Sequence, residues 1–267
     1  MQPWLRDLLS CPDCGGTLRA DGEWLVCTGA CERAYPVVED IPVFLDEVPM
    51  RTAPGTPSAD EPPQIDAVAD LVAGNAGAVN LDVGCGTGRN LDLFEGRYVG
   101  CDPDFTALRA AKARADDDQA VAFVCCDGRQ LPFLSEAFKF VLSSEVIEHV
   151  PPDDRGTFAE ELRRVLAPEG SVVISAPIDT ALGNGLAALA RSVGLVGGNG
   201  ADETHPRTTV QELRDLGFQV RGCLDSPAKQ ALRARGLGRV AGLYDRGVRQ
   251  FPRLSTHCVG ISHSRSS

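Results

Sequence analysis

The chain has 267 residues, of which 43% are hydrophobic, enough for one α/β domain with a small additional module. No apolar run approaches the roughly 20 residues of a membrane-spanning helix, and the N-terminus lacks a signal-peptide pattern, so we expect a cytoplasmic protein without a membrane span. The net charge of −11 argues against non-specific nucleic-acid binding by most of the chain, because phosphate contacts require clustered Lys and Arg.

Four of the ten cysteines lie near the N-terminus, in two pairs separated by twelve residues. In a reducing compartment such a cluster indicates a metal site rather than a disulfide framework. Four thiolates suit tetrahedral zinc and leave no open position for catalysis. The predicted ligands of this structural zinc are Cys11, Cys14, Cys27 and Cys31.

The domain organisation follows from changes in composition along the chain. Residues 1–45 end in a β-rich run and form the predicted zinc ribbon. Residues 46–63 contain five prolines and few large apolar residues, which is typical of an extended linker that separates two units. Residues 64–267 form the predicted main domain.

Short apolar strands alternate with helical patterns from Ile65 onward, which predicts an α/β fold with an open, mostly parallel, Rossmann-like sheet. The predicted strands are residues 79–84, 98–102, 122–127, 139–144, 171–177, 217–223 and 256–262. The predicted helices are residues 105–115, 153–166 with Asp153 as N-cap, and 209–217 with Thr208 or Thr209 as N-cap. The Gly-rich stretch 178–204 is expected to be an insertion that can act as a lid.

The most informative stretch is LDVGCGTG at residues 81–88, where an apolar strand runs into a Gly-rich turn and then a helical segment. Such glycines allow a ligand to approach the backbone closely, and the following N–H groups attract polar ligands. A nicotinamide-binding fingerprint has glycine at the sixth position, which is Arg89 in this chain. The G-x-G-x-G spacing therefore argues against a dinucleotide.

LDVGCGTG resembles the first motif of class I S-adenosylmethionine-dependent methyltransferases. Asp102 in VGCDPD and Asp127 in FVCCDGRQLPF resemble the acids that bind the ribose hydroxyls and the adenine amino group in that family. Residues 142–150 and 162–177 resemble the branch that methylates quinones and other small molecules. The resemblance covers residues 65–225 and implies S-adenosylmethionine as the cofactor. The cofactor-binding residues that it implies are Asp82, Gly84, Gly86, Gly88, Asp102, Asp127 and Gly128.

The N-terminal module has a resemblance of its own. CPDCGGTL and AYPVVEDIPVFL are similar to small zinc-ribbon proteins that activate some tRNA and protein methyltransferases as separate subunits. A zinc ribbon also precedes the methyltransferase domain in certain ribosomal-RNA guanine methyltransferases. The resemblance implies that this chain carries such a ribbon fused in cis.

Methyl transfer is an in-line displacement at a sulfonium, and it needs a base only when the acceptor must lose a proton. The candidate catalytic residues are Glu145 and His149, just after the predicted fourth strand, and His205 at the end of the Gly-rich insertion. His149 has a structural alternative as a helix-start histidine that bonds to the backbone. His205 in ETHPRTT resembles a histidine of the same methyltransferase branch.

Three functions are compatible with these patterns. The first is methyl transfer to a small molecule such as a quinone, lipid, sugar or secondary metabolite. The second is methyl transfer to RNA or protein, with the ribbon docking the substrate; residues 227–265, with eight basic residues and one acid, favour it. The third is a catalytically silent binding module, which the intact cofactor motif argues against. The sequence leaves the oligomeric state open.

Overall fold

A computed structural model describes residues 1–46, 66–73, 79–115, 120–178, 208–223, 236, 238–239, 242 and 257–264 of the chain. These residues form two sheets, of four and seven strands. Among these ranges no helix is both long and apolar enough to cross a membrane. The helices are α1 (Pro3–Arg6), α2 (Asp66–Val72), α3 (Phe105–Arg114), α4 (Arg155–Arg164) and α5 (Val210–Asp215).

The N-terminal sheet is antiparallel throughout, with its strands in chain order. The strands alternate between buried residues such as Leu25 and Tyr35 and exposed residues such as Trp24, so one face of this small sheet is packed and the other faces solvent. Its strands are β1 (Leu18–Asp21), β2 (Trp24–Cys27), β3 (Ala34–Val38) and β4 (Ile41–Pro42).

The central sheet has the order β10-β11-β9-β8-β5-β6-β7. Its strands are β5 (Val79–Val83), β6 (Arg97–Asp102), β7 (Val121–Cys125), β8 (Phe138–Ser144), β9 (Leu166–Pro177), β10 (Gln219–Cys223) and β11 (His257–His263). The five strands from β9 to β7 are mutually parallel, whereas β11 runs antiparallel to both of its neighbours. The open, mostly parallel α/β sheet predicted from the sequence is confirmed.

The parallel arrangement brings the ends of β5, β6, β7, β8 and β9 to one edge of the sheet. Ligands in such sheets bind beyond the carboxyl ends of the strands, near the point where the strand order reverses. Here the order reverses at β5, which has β6 on one side and β8 on the other. The segments that follow these three strands therefore delimit the candidate site.

The N-terminal sheet packs directly against the central sheet. Val43 forms a parallel bridge with Cys125 of β7, and the Phe44 N–H donates to the Cys125 carbonyl across 2.8 Å. On another side, Leu9 forms an antiparallel bridge with Phe133. The module thus covers an edge strand that would otherwise present unpaired backbone groups. The expectation that the linker holds the two units apart is wrong, because they share backbone pairing and buried side chains.

Two of the predicted helix caps were tested by the structure. Thr209 caps α5 in a capping box, its side chain accepting from the Glu212 N–H across 3.0 Å, as predicted. The prediction of Asp153 as the N-cap of α4 is wrong, because residues 152–154 form a separate 3₁₀ turn and α4 begins at Arg155. Residues 179–204 of the Gly-rich stretch, and all of the linker except Asp46, lie outside the described residues. The domain boundaries stay predictions.

Candidate cofactor site and cysteine cluster

The Gly-rich turn after β5 requires glycine at its first position. Gly84 has φ of 75°, and a Cβ placed there would stand 2.3 Å from Cγ2 of Val146, which follows β8. The Gly84 N–H donates to the Cys101 carbonyl across 2.7 Å, which holds the turn against the end of β6. Close approach of two strand ends, and not flexibility alone, explains this glycine.

The next two glycines have different surroundings. Gly86 has φ of 54° and open space where a Cβ would stand, whereas Gly88 has φ of 80° and faces Ala111 of α3. A positive φ is accessible to glycine at little cost, while other residues rarely adopt it. The space beside Gly86 is where a ligand can approach the backbone.

Asp102 ends β6 and fixes the turn from the other side. Its Oδ2 accepts from the Gly86 N–H across 2.9 Å, and its Oδ1 accepts from the Asp104 N–H across 2.8 Å. Asp104 in turn caps α3 by accepting from the N–H groups of Thr106 and Ala107. The carboxylate therefore has a fixed position at the carboxyl end of β6.

Asp127 follows β7 and is bound by Arg129. The Arg129 N–H and Nε donate to Asp127 Oδ1 across 2.8 and 3.0 Å, and Nη2 donates to Oδ2 across 2.5 Å. Burial opposes ionisation of Asp127, but these hydrogen bonds outweigh it and hold the pKa of the carboxyl below its usual range. Nη1 of Arg129 also donates to Asp154 before α4. Sequence reasoning did not single out Arg129.

A cavity of about 180 Å³ lies between the ends of β5, β6 and β7 and the segment after β8. Four of the predicted cofactor residues line it, together with the candidate His149; they are Gly84, Asp102, Asp127 and Gly128. Val146 and Phe158 supply apolar parts of the wall. The cavity lies where parallel-sheet topology places ligands. A larger cavity of about 550 Å³ lies against the N-terminal module, away from these strand ends.

Asp82, also a predicted cofactor residue, lies inside β5 and is fully buried. Its Oδ2 accepts from the Tyr98 hydroxyl across 3.0 Å and from Asn90 Nδ2 across 3.4 Å. Burial raises the pKa of this carboxyl to about 7, although both hydrogen bonds oppose the shift. These contacts connect β5 to β6 below the Gly-rich turn and indicate a supporting role. Direct contact with a cofactor stays a prediction.

The structure describes two of the three candidate catalytic residues, Glu145 and His149. Glu145 follows β8 with φ of 59° and is mostly buried. His149 ends a 3₁₀ turn, is exposed and lines the cavity. His205 lies outside the described residues.

The structure also brings together polar residues that sequence reasoning missed. Ser175 of β9 and His257 of β11 both contact Glu145. His257 is 112 residues from Glu145, and it reaches this edge only because β11 is antiparallel to β9. The run THCVGIS predicted the strand that contains His257, but nothing in it indicated that His257 would contact Glu145.

The four N-terminal cysteines converge as predicted, with all four Sγ atoms within 4.8 Å of one another. Three of the Sγ–Sγ distances are 3.4 to 3.5 Å. Zinc bonded to four sulfurs at about 2.3 Å places them about 3.8 Å apart, so this set fits tetrahedral zinc after a small expansion. The donor set, four thiols with no carboxylate or imidazole, also suits that ion.

Neighbouring groups support the cysteine cluster. The Tyr35 hydroxyl donates to Asp13 across 2.7 Å and lies 3.1 Å from Cys11 Sγ, while the Gly29 N–H donates to Cys27 Sγ. A hydrogen bond with the Gly16 backbone, aided by the neighbouring thiols, lowers the pKa of Cys14 to about 6. Hydrogen bonds of this kind orient metal ligands and favour the thiolate that binds the ion.

Comparison with known proteins shows what the central part of the chain is similar to. Residues 81–174 match the family model described as a methyltransferase domain. All the residues that line the cavity, Gly84, Asp102 and Asp127 among them, lie within this segment.

Curated relatives match a similar part of the chain. An uncharacterized methyltransferase of Mycobacterium leprae is 40% identical over 102 residues, which are 37% of this chain and 37% of that protein. A ubiquinone biosynthesis O-methyltransferase of Bradyrhizobium diazoefficiens is 34% identical over 99 residues, which are 36% of this chain and 38% of that protein. The chain thus spans little more than a third of the length of these relatives.

Solved structures match a larger part. A chain of the Haloferax volcanii complex that contains the Trm112 methyltransferase activator superposes with a TM-score of 0.50 and 16% identity, covering 76% of this chain and 88% of that chain. Magnesium protoporphyrin IX methyltransferase from Synechocystis, solved with bound S-adenosylhomocysteine, also has a TM-score of 0.50 and is 17% identical. The superposition covers 75% of this chain and 81% of that chain. The central sheet therefore has a fold found in methyltransferases, and residues 81–174 have the sequence of a methyltransferase domain.

Proposed function

We propose that this protein transfers a methyl group from S-adenosylmethionine to a small-molecule acceptor. The observation that carries the proposal is the cavity at the carboxyl ends of β5, β6 and β7, whose walls contain Gly84, Asp102 and Asp127. The family match over residues 81–174 supports the same donor.

The residues present suit this ligand. Asp102 offers a carboxylate for vicinal hydroxyls, and Asp127 offers one for an amino group. The open space at Gly86 lets the ligand approach the backbone. When bound, S-adenosylmethionine supplies a methyl group on a sulfonium, and the apolar wall formed by Val146 and Phe158 helps to exclude water from it.

A small-molecule acceptor is supported by the charge of the chain. Eleven excess negative charges oppose association with a polyanion, and a small neutral acceptor is not subject to that repulsion. The relative from Bradyrhizobium is named for O-methylation in ubiquinone biosynthesis, and its similarity favours a compact organic acceptor.

A methyltransferase directed at RNA or protein is the second candidate. The cysteine cluster within the N-terminal sheet favours it, together with the likeness to a chain of a complex that contains a methyltransferase activator. In this chain an N-terminal module packs against the central sheet in cis. Transfer of label from the donor to RNA or protein fractions, and not to metabolites, would support this candidate.

The donor site is tested by calorimetric titration with S-adenosylhomocysteine. We expect one site per chain, with an affinity that falls about tenfold to a hundredfold in Asp102→Ala, because that change removes a charged hydrogen-bond acceptor. Asp92→Ala, at a carboxylate that is 76% exposed after the Gly-rich turn, is the matched control and keeps the affinity of the wild type. Equal affinity in both variants would refute the assignment of Asp102.

A further inference from the structure

A carboxylate, an imidazole and two hydroxyls form a cluster at the carboxyl edge of the sheet. Ser144 ends β8 and Glu145 follows it, Ser175 lies near the end of β9, and His257 begins β11. Because β11 is antiparallel to β9, the first residue of β11 reaches the edge at which β8 and β9 end. Three strands therefore contribute side chains to one place.

The Glu145 carboxylate is contacted through both of its oxygens. Ser175 Oγ donates to Glu145 Oε1 across 3.2 Å, and His257 Nε2 lies 3.4 Å from Glu145 Oε2. Ser144 Oγ lies 2.8 Å from Ser175 Oγ and extends the hydrogen-bonded chain. The Glu145 and His257 side chains are 17% and 16% exposed, so the pair is mostly withdrawn from water and still has an accessible side.

The backbone also holds Glu145 in place. Its φ of 59° is a left-handed conformation that non-glycine residues rarely adopt, and its N–H donates to the Ser175 carbonyl across 2.9 Å. Such conformations persist where the surroundings enforce them, and they cluster at functional sites. The next residue, Val146, lines the cavity and faces Gly84. Glu145 is therefore fixed against Ser175 of β9, one residue before the cavity-wall residue Val146.

We propose that Glu145 accepts the proton of an acceptor hydroxyl during methyl transfer, and that His257 and Ser175 are positioning residues that hold its carboxylate for this step. The inference rests on the proposed methyltransferase function and specifies its acceptor as a hydroxyl compound. Each carboxylate oxygen has two acceptor positions, so the contacts with Ser175 and His257 use two of four and leave room for a hydrogen bond from the acceptor.

The step balances without a further reactant. A lone pair of the acceptor oxygen forms the new O–C bond to the methyl group, and the C–S bond breaks with its electron pair going to sulfur. The hydroxyl proton passes to Glu145, and water removes it afterwards. The oxygen becomes more acidic as it attacks, so a carboxylate within hydrogen-bond reach can assist.

The test compares acceptors that differ in their need for a base. Phenol and catechol must lose a proton, whereas thiophenol is largely ionised near neutral pH. We expect Glu145→Gln to lower kcat for the phenols about 100-fold or more and to change transfer to thiophenol less than about threefold. His257→Gln and Ser175→Ala should each lower kcat for the phenols about tenfold with KM unchanged, because they act on the orientation of Glu145.

A matched control lies at the opposite end of the same strand pair. Ser171 Oγ is 2.8 Å from His263 Nδ1, so Ser171→Ala and His263→Gln remove a similar serine–histidine contact that is remote from Glu145. These variants should keep the kcat of the wild type for both acceptor classes. Glu145→Asp, which retains a carboxylate, should keep part of the activity that Glu145→Gln loses.

The outcomes separate this inference from the proposed function. A Glu145→Gln variant that loses phenol and thiophenol transfer equally, or wild-type protein that binds S-adenosylhomocysteine but methylates no hydroxyl probe, would overturn the role of Glu145. Failure of the wild type to bind S-adenosylhomocysteine would instead overturn the methyltransferase function itself.

Discussion

At the residue scale, Asp82 is expected to make stability depend on pH. Burial raises its pKa in the folded state from 3.8 to about 7, so the folded protein retains a proton that the unfolded chain loses. The contribution of Asp82 is therefore fully present below about pH 4 and is lost as the pH rises towards 7. We expect the free energy of unfolding to fall by up to ~4 kcal/mol across this window because of this one group.

Urea denaturation at a series of pH values measures this effect. Asp82→Asn, which keeps the shape of the side chain without the charge, should flatten the dependence between pH 4 and pH 7. Asp92→Asn, at an exposed carboxylate, is the control and should retain the slope of the wild type. If Asp82→Asn shows the slope of the wild type, the buried carboxyl is not its origin.

Also at the residue scale, Gly84 is expected to tolerate no side chain. In Gly84→Ala the new Cβ would stand 2.3 Å from Val146 at a φ of 75°. The turn or the segment after β8 must then move, and we expect about 1–3 kcal/mol lower stability and at least tenfold weaker binding of S-adenosylhomocysteine. Gly156→Ala, where a Cβ on α4 meets no atom within 4 Å, should keep the affinity and stabilise slightly. Equal affinity in the two variants would contradict this account.

At the element scale, the segment after β7 connects the cysteine cluster to the cavity. Asp127 and Gly128 line the cavity, while Gln130 Nε2 donates to the Pro12 carbonyl between Cys11 and Cys14, and the Ser10 N–H donates to the Pro132 carbonyl. The sequence predicts zinc in this cluster; with zinc bound there, its removal should loosen residues 10–14, because four-cysteine sites derive their order from the metal.

We therefore expect chelation of zinc to weaken binding of S-adenosylhomocysteine about tenfold, which corresponds to the loss of roughly one or two hydrogen bonds in that segment. Calorimetric titration of metal-replete, chelated and zinc-reconstituted protein with S-adenosylhomocysteine measures this change in affinity. Recovery on reconstitution is the control for irreversible damage. An affinity that is the same with and without zinc would show that the cluster and the cavity are independent.

The elements themselves were largely predictable from the sequence, and their pairings were not. Parallel strands buried on both faces read as short apolar runs, and β5 to β9 were recognised for that reason. The position of β11 between β9 and β10 depends on contacts distant in sequence, so the meeting of His257 with Glu145 could not be predicted. Asp153 was a plausible cap by residue type, but the prolines before it favour a separate 3₁₀ turn.

At the scale of the whole molecule, the N-terminal module packs against the main domain and shares hydrophobic clusters with it. Composition predicted a Pro-rich linker, and a linker says nothing about whether the units it joins are in contact. The structure pairs Leu9 with Phe133 and Val43 with Cys125, and all four side chains are buried. Removal of residues 1–45 would expose Phe133 and the edge of β7.

We expect a chain that begins at residue 46 to be less stable than the full chain by several kcal/mol, since each large apolar side chain exposed costs about 1.5–3 kcal/mol. Thermal unfolding followed by circular dichroism measures the difference. A chain truncated after Ser264, which removes only three residues, is the control. A midpoint equal to that of the full chain would show that the contacts of the module contribute nothing.

The central claim is that the cavity beside the Gly-rich turn binds S-adenosylmethionine for methyl transfer to a small molecule. It is tested most directly by incubating the full chain with methyl-labelled S-adenosylmethionine and separated metabolite, RNA and protein fractions, and following both label and S-adenosylhomocysteine. We predict label in a metabolite product with an equal amount of S-adenosylhomocysteine, and a roughly tenfold or larger decrease in both in Asp102→Ala at a donor concentration well below the dissociation constant of the wild type. Label confined to RNA or protein would contradict the acceptor class, and absence of S-adenosylhomocysteine in every fraction would contradict the central claim.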